Sequence, residues 1–375
     1  MKHQINRWQF GLLIINFVVG SSLLMAPTAT TALAEQNGWI SIILAASAGI
    51  LLNIPVYLLM RQYGYASIFA ISEAVTGKII GTVLNILFIA VTLHLTALIM
   101  RNYANFTNTV ALPETSPHIV VWMGLILMIF SVSKGVQNIG RVNEVLLPLM
   151  LFVVLGTLLV VLNKFDGAYL LPVLEGGWFP IVHGAYPTLG FPFIELLVFT
   201  SLVTFVSDKK HLLTYIVWSI AISGFVLSSA ILVTVGVESP DFTARETFAT
   251  YAMARNIEIG ELFQRVEAAI GIVWLLSLFI KMTVCLLCAL FGLQHISKRG
   301  SYGVFVFPCA VLVWAMSDHL HPDIVDFSDF VLKNWTLYWG SVYIVLTGVL
   351  AGGILSGRHR ALQNRSQSVK RLSHV

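Results

Sequence analysis

The sequence predicts an all-α polytopic membrane protein: ten transmembrane helices in two five-helix halves, with the first and sixth helices broken. Three observations carry that prediction. Only 11% of the residues are charged, 57% are hydrophobic, and the mean hydropathy is +0.84, whereas soluble domains carry about 25% charged residues. Ten apolar segments then recur along the chain, most of them near the ~20 residues a membrane helix needs. Finally, the first and sixth segments are interrupted by glycine and proline at corresponding positions of the two halves.

The segments fall near residues 8–33, 38–59, 79–105, 117–133, 142–162, 183–206, 212–237, 264–290, 301–317 and 335–356. They form one transmembrane bundle over 1–356, with halves at about 8–162 and 183–356, followed by a basic tail at 357–375. An even number of crossings puts both ends on one side. Of the 22 Lys and Arg, 15 lie in the N-terminus, the even-numbered turns and the tail; six lie on the other side, and Lys281 lies within a span. The positive-inside rule therefore places both termini in the cytoplasm. The tail, "GRHRALQNRSQSVKRLSHV", suits anionic lipid headgroups, and its charge requires no nucleic acid. Lys2, Arg7, an apolar run and "ALA" at 32–34 imitate a secretory signal. The run is long for a signal core and nine more segments follow, so it reads as an uncleaved first helix.

"VVGSSLLMAPTAT" in the first segment sets Gly20, Ser21 and Ser22 at mid-span ahead of Pro27. "HGAYPTLGFPFIELL" in the sixth repeats the device with Gly184, Pro187, Gly190 and Pro192. Proline removes a backbone donor and clashes with the preceding turn. Within a bilayer, freed backbone groups are tolerated only against protein or a cavity. One such helix reads as a packing kink. Two in matching positions point to an inverted-repeat transporter architecture with its binding site at the breaks.

Depth singles out two charges. Glu195 falls about 11 residues, and Lys281 about nine, from the inner end of its span; at ~1.5 Å per residue both sit roughly 14–17 Å deep. A charge there costs about 2.5–3.5 kcal/mol on insertion scales, so each needs a partner. The expectation is that they pair. His94 lies at similar depth in the third segment, as a candidate lining residue or as a satisfied packing histidine.

Cys285, Cys288 and Cys309 all lie in apolar stretches; no disulfide framework is implied, and the CxxC reads as packing. The outer loop 238–263 reads equally as a lid over the external mouth and as a solvated surface helix. "SDHLHPDIVDFSD" at 317–329 reads as a solvated acidic connector in preference to a metal site. No cofactor, no metal and no catalytic residue is expected, because no nucleophile–base constellation or phosphate loop is present.

The chain also resembles the B subunits of bacterial spore germinant receptors, a branch of the amino acid–polyamine–organocation transporter superfamily. The resemblance runs nearly end to end. It rests on "GSSLLMAPTA" at 20–29, "NGWISIIL" at 37–44, Arg101, "LPETSP" at 112–117 and "GRVNEVLLP" at 140–148. It continues through "FDGAYLLPVLEGGWFPI" at 165–181, the glutamate of the sixth span, "FQRVEAAIGIVW" at 263–274, "LFIKM" at 278–282 and "FSDF" at 327–330.

The resemblance implies a ten-helix LeuT-like bundle with a 5+5 inverted repeat, in the inner membrane of the spore. It implies a subunit that binds a small germinant, often an amino acid, between spans one, three, six and eight. Its expected partners are an A subunit and a lipoprotein C subunit. By position the ligand residues would be Gly20, Ser21 and Ser22, then Leu189, Gly190, Phe191 and Glu195, and Ser277, Lys281 and Cys285, with His94 alongside. In related transporters the inner part of spans one and eight can hold sodium; an ammonium at Lys281 would stand in for that ion. Three classes stay open: a germinant-sensing subunit, a proton-coupled secondary transporter of amino acids or related solutes, and a structural subunit with a vestigial pocket.

Overall fold

The computed structural model describes residues 4–255, 266–321 and 323–358. The tail from 359 to 375, Arg265 and the stretch 256–263 of the outer loop lie outside them. The helices are α1 (Arg7–Ser22), α2 (Ala26–Ala34), α3 (Gly38–Gln62), α4 (Ile68–Thr76), α5 (Lys78–Phe106), α6 (Pro117–Ser133) and α7 (Gly135–Val160). The second half follows with α8 (Trp178–Thr188), α9 (Leu212–Glu238), α10 (Pro240–Arg245), α11 (Ala249–Arg255), α12 (Val266–Ser297), α13 (Gly303–His319), α14 (Ile324–Asp329) and α15 (Trp335–Leu355).

Among the described residues, every apolar segment read from the sequence falls mainly on helix. Seven helical stretches among those residues are long and apolar enough to cross a membrane, while α6 and α13 are shorter apolar helices. The third span (α5) packs on the eighth (α12), and the second (α3) packs on the seventh (α9). Each pair joins elements five apart in order, as expected of two halves related by internal repetition.

Sequence decides which helices are central. α1 is apolar on all sides and nearly all of it is buried, the signature of a core helix. α6 leaves Ile119, Trp122, Met123, Ile126, Leu127 and Phe130 exposed, an apolar stripe of the kind that a lipid bilayer covers. The chain is thus an integral membrane protein.

Both breaks are present, and the first is displaced from its predicted place. α1 starts at a capping box in which Asn6 and Gln9 exchange bonds and stays helical through Gly20, Ser21 and Ser22 to a turn at 23–25. Pro27 then occupies the first turn of α2, where its missing N–H costs nothing. Gly20 serves helix packing, since a Cβ there would lie 2.5 Å from Cβ of Ser277 on α12. In the sixth span α8 gives way to a π-turn, Leu189–Phe193, where Phe191 leaves helical geometry (φ −114°, ψ 103°) ahead of a cis Phe191–Pro192 bond. A 3₁₀ run, Ile194–Ser201, completes the span.

Two stretches read as connectors are structured. α4 forms between the second and third spans and buries Ile68, Phe69, Ile71 and Val75. The segment 317–329 is not the solvated connector expected: His321 and Phe327 are buried, and α14 runs through a π-turn, Phe330–Asn334, into α15. The tenth helical stretch thus begins at Ile324 rather than near 335. Its early charges depress the hydropathy, but Asp329 and Lys333 sit on the exposed face as an i,i+4 pair at 2.6 Å.

Candidate functional site

The two breaks converge on one buried cluster. Lys281 Nζ lies 2.6 Å from Glu195 Oε2 and donates to Ser21 Oγ at 2.7 Å. Both charged side chains are fully buried. Trp335 Nε1 donates to the other carboxylate oxygen, Glu195 Oε1, at 2.6 Å. The Lys281 ammonium also lies over the rings of Phe17 (4.2 Å) and Phe191 (4.9 Å), contacts worth about 2 kcal/mol when desolvated. Such a pair is held in place by the penalty for separating it: removing one partner leaves a buried, unpaired charge.

Neighbouring polar groups satisfy the freed backbone. Thr250 of α11 donates to the Leu23 carbonyl at 2.8 Å. Asn53 Nδ2 reaches the Phe193 carbonyl (3.2 Å), and Thr336 Oγ1 the Tyr186 carbonyl (3.0 Å). This is the protein-side satisfaction that irregular backbone in a membrane requires.

A small cavity adjoins the cluster, lined by Ser21, Leu95, Leu98, Ile99, Asn102, Phe191, Glu195, Leu278, Phe327, Val331 and Trp335. Its volume of about 20 Å³ is room for one water. A larger space of about 240 Å³ lies between α2, α8, the 245–247 loop and 324–332. Phe191 and Val331 line both spaces. The stretch between α10 and α11 thus contributes Arg245, Glu246 and Thr247 to the lining of the larger space.

Of the predicted site residues, Ser21, Phe191 and Glu195 line the cavity, and Lys281 braces two of them from behind. The others stand elsewhere. Gly20 packs on Ser277, whose hydroxyl donates to Met150 Sδ at 2.7 Å. Ser22 Oγ is buried without a partner. Gly190 admits Thr336, whose Oγ1 would lie 2.3 Å from an added Cβ. Leu189 packs against the core, and Cys285 is buried one turn below Lys281 as a free thiol. His94 stands one layer behind the cavity, its ring edge-on to Trp335 at 5.7 Å.

Sequence reasoning missed Trp335. Placing the last span at 335–356 put this indole at a membrane boundary, where tryptophan is ordinary. With the helical stretch starting at Ile324, Trp335 lies about 16 Å along it, where an indole N–H must find a buried acceptor. The signal was available in "FSDFVLKNW", had its charges been assigned to one exposed face. Among the described residues no group of three or more His, Cys, Asp or Glu is placed to hold a metal.

The family model described as "Spore germination protein" matches residues 4–322. Spore germination protein YndE of Bacillus subtilis (strain 168) is 25% identical over 295 residues, covering 78% of this chain and 80% of its own. Spore germination protein KB of the same organism is 24% identical over 319 residues, covering 84% and 85%. Among solved structures, MhsT in complex with L-phenylalanine matches with a TM-score of 0.72 at 14% identity, over 97% of this chain and 93% of that one. That likeness is one of fold, and it places the bundle in the LeuT-type architecture of broken first and sixth helices. The matched family spans most of the chain: this protein belongs to the spore germination protein family, among the B-type germinant-receptor subunits of the amino acid–polyamine–organocation superfamily.

Proposed function

We propose that this chain is the ligand-sensing subunit of a spore germinant receptor. It binds a small nutrient, an amino acid by chemistry, between spans one, three, six, eight and ten. The observation that carries the reading is the Glu195–Lys281–Ser21 cluster, buried where both broken spans meet beside a cavity. Broken helices offer exposed backbone N–H groups and a positive half-helix end to a carboxylate. The walls formed by Leu95, Leu98, Ile99 and Leu278 suit an apolar side chain. MhsT, which shares the fold, is described with L-phenylalanine, and that supports an amino acid as the ligand class.

The present conformation is closed, because about 20 Å³ does not admit an amino acid. Ligand binding then requires Phe191 and Val331 to move apart and join the inner cavity to the outer space. The ion pair tells each broken helix where the other is: Glu195 reports the sixth span, Ser21 the first, and Lys281 on the eighth holds both. A ligand that displaces Ser21 from Lys281 would loosen the first span alone. In this reading the movement passes to an A subunit and a lipoprotein C subunit in the inner spore membrane, with both termini of this chain cytoplasmic.

The second reading, a proton-coupled secondary transporter, is favoured by the fold shared with MhsT. Reconstitution into proteoliposomes separates the two. The receptor reading expects saturable amino acid binding with no accumulation, weakened when Leu98 or Phe191 is changed. Concentrative uptake by the isolated chain would overturn it in favour of transport, and absence of binding to any amino acid would remove the ligand class.

A further inference from the structure

Two turns at one end of the bundle carry cations and no acid. The turn between α6 and α7 holds Lys134, and the turn between α12 and α13 holds Lys298 and Arg299; neither 131–139 nor 294–303 contains Asp or Glu. All three cations are exposed. This is the end at which Ile5 bridges to Val206 and Phe205 stacks on Phe291 of α12 at 4.4 Å. Between the two turns opens a cavity of about 710 Å³, a size that suits a small-molecule site. Ile129 and Ser133 of α6, Val136 of α7, Phe291 of α12, and Val306 and Phe307 of α13 line it. Lys298 and Arg299 line an adjoining space of about 400 Å³, which shares Phe205, Phe291 and Gln294 with the first.

The cavity has an apolar side and a cationic rim. Its apolar walls continue onto the outer surface, where Leu127 and Phe130 of α6 and Val304 and Phe307 of α13 are exposed, as on a face that meets lipid. At the rim, Lys134 Nζ stands over the Phe130 ring at 4.8 Å and Arg299 Cζ over the Phe305 ring at 5.9 Å. Both α7 and α13 begin here without a side-chain cap from the capping residue, and the positive ends of the two helices add to the cations. The acids at this end have partners of their own. Asp208 pairs with Arg7 at 3.0 Å, Glu144 accepts from Gln9, and Glu73 faces His295, a lining residue of the adjoining space, at 3.3 Å.

We propose that this cavity binds one anionic glycerophospholipid, its phosphate held by Lys134, Lys298 and Arg299 and an acyl chain laid along Ile129, Val136, Val306 and Phe307. A soluble phosphate would use the cations and leave the apolar walls uncovered. A neutral lipid would use the walls and leave the cations without an anion. An anionic amphiphile at the membrane boundary uses both, and basic pockets between membrane helices take ligands of this class. The lipid also packs on Phe291, the ring that stacks on Phe205 at the end of the sixth span. Its occupancy therefore braces that end, whatever ligand the central cavity takes.

The test uses the full chain, tail included, stripped of lipid in detergent and followed by native mass spectrometry. Phosphatidylglycerol and phosphatidylcholine with matched acyl chains are added in turn. The expected result is one phosphatidylglycerol per chain, retained under activation that strips phosphatidylcholine. Lys134→Gln, Lys298→Gln and Arg299→Gln combined should weaken that first site roughly a hundredfold. Arg61→Gln, Lys78→Gln and Lys210→Gln combined remove three exposed cations from the same end and should leave it unchanged. Ile129→Trp fills the cavity from a half-buried wall position without altering charge, and the tightly held lipid should be lost. Equal retention of the two lipids, equal losses in the two triple variants, a first site indifferent to Ile129→Trp, or full competition by inorganic phosphate at equal concentration would each overturn the proposal.

Discussion

The first and sixth spans are both broken near mid-depth, but the two breaks are built differently. The first is a short turn between two regular helices, and it contributes only the neutral hydroxyl of Ser21. The sixth loses regular geometry over Leu189–Ser201 and carries the carboxylate of Glu195 within its 3₁₀ run. The first is anchored to α11 by Thr250, and the sixth to the second and tenth spans by Asn53 and Thr336. A charge can sit at the sixth break because Lys281 and Trp335 saturate it. The first break carries no charge of its own and is held through the hydroxyls of Ser21 and Thr250.

Removing the shared ammonium should erase the difference most strongly. Lys281→Ala leaves Glu195 charged, fully buried and unpaired, a change that costs about 3–5 kcal/mol. The expected outcome is a sharp loss of membrane abundance and a large fall in Tm measured in detergent. A paired replacement, Glu195→Gln with Lys281→Met, should recover much of the stability and none of the ligand binding. If Lys281→Ala retains wild-type stability, Glu195 has another partner and the sixth break does not depend on the eighth span.

Trp335→Phe touches the sixth break alone. It keeps the ring against His94 but deletes the indole hydrogen bond to Glu195, worth about 1.5–3 kcal/mol for a bond to a charged group. A lower Tm with ligand binding weakened, read side by side with the parent, would confirm that the carboxylate needs both donors. Gly190→Ala follows at about 1–3 kcal/mol of overpacking, since its Cβ would lie 2.6 Å from the Thr336 backbone Cα and the two backbones must part.

Composition, the matched glycine–proline interruptions and the depth of two charges made the broken-helix architecture and the Glu195–Lys281 pair legible in the sequence. Each of those follows from what a bilayer forbids, and a prohibition is readable without coordinates. The aromatic and aliphatic walls were not legible: Leu95, Leu98, Ile99 and Leu278 look like any lipid-facing leucine or isoleucine until the neighbouring helix is placed. Gly20 was placed among the ligand residues, but a missing side chain does not say what approaches it; the structure puts Ser277 there. His321 was hidden by its acidic neighbours. Asp323 caps α14 by accepting from Val325 and Asp326 N–H groups, so charges that made the stretch look solvated instead start the helix that buries the histidine.

The smallest expected effect tests the first break. Thr250→Val keeps the shape of the buried side chain and removes its hydroxyl, so the Leu23 carbonyl loses its donor at 2.8 Å. A net hydrogen bond of this kind is worth about 1 kcal/mol, a Tm change of only a few degrees for a chain of this size. The consequence for motion should exceed the consequence for stability, because the bond ties α11 to the turn that separates α1 from α2. Hydrogen exchange at Leu23 to Met25 should accelerate while exchange at Phe191 to Glu195 stays as in the parent. Equal acceleration at both breaks would mean that they open as one unit, and the asymmetry between the neutral and the charged break would then have no mechanical meaning.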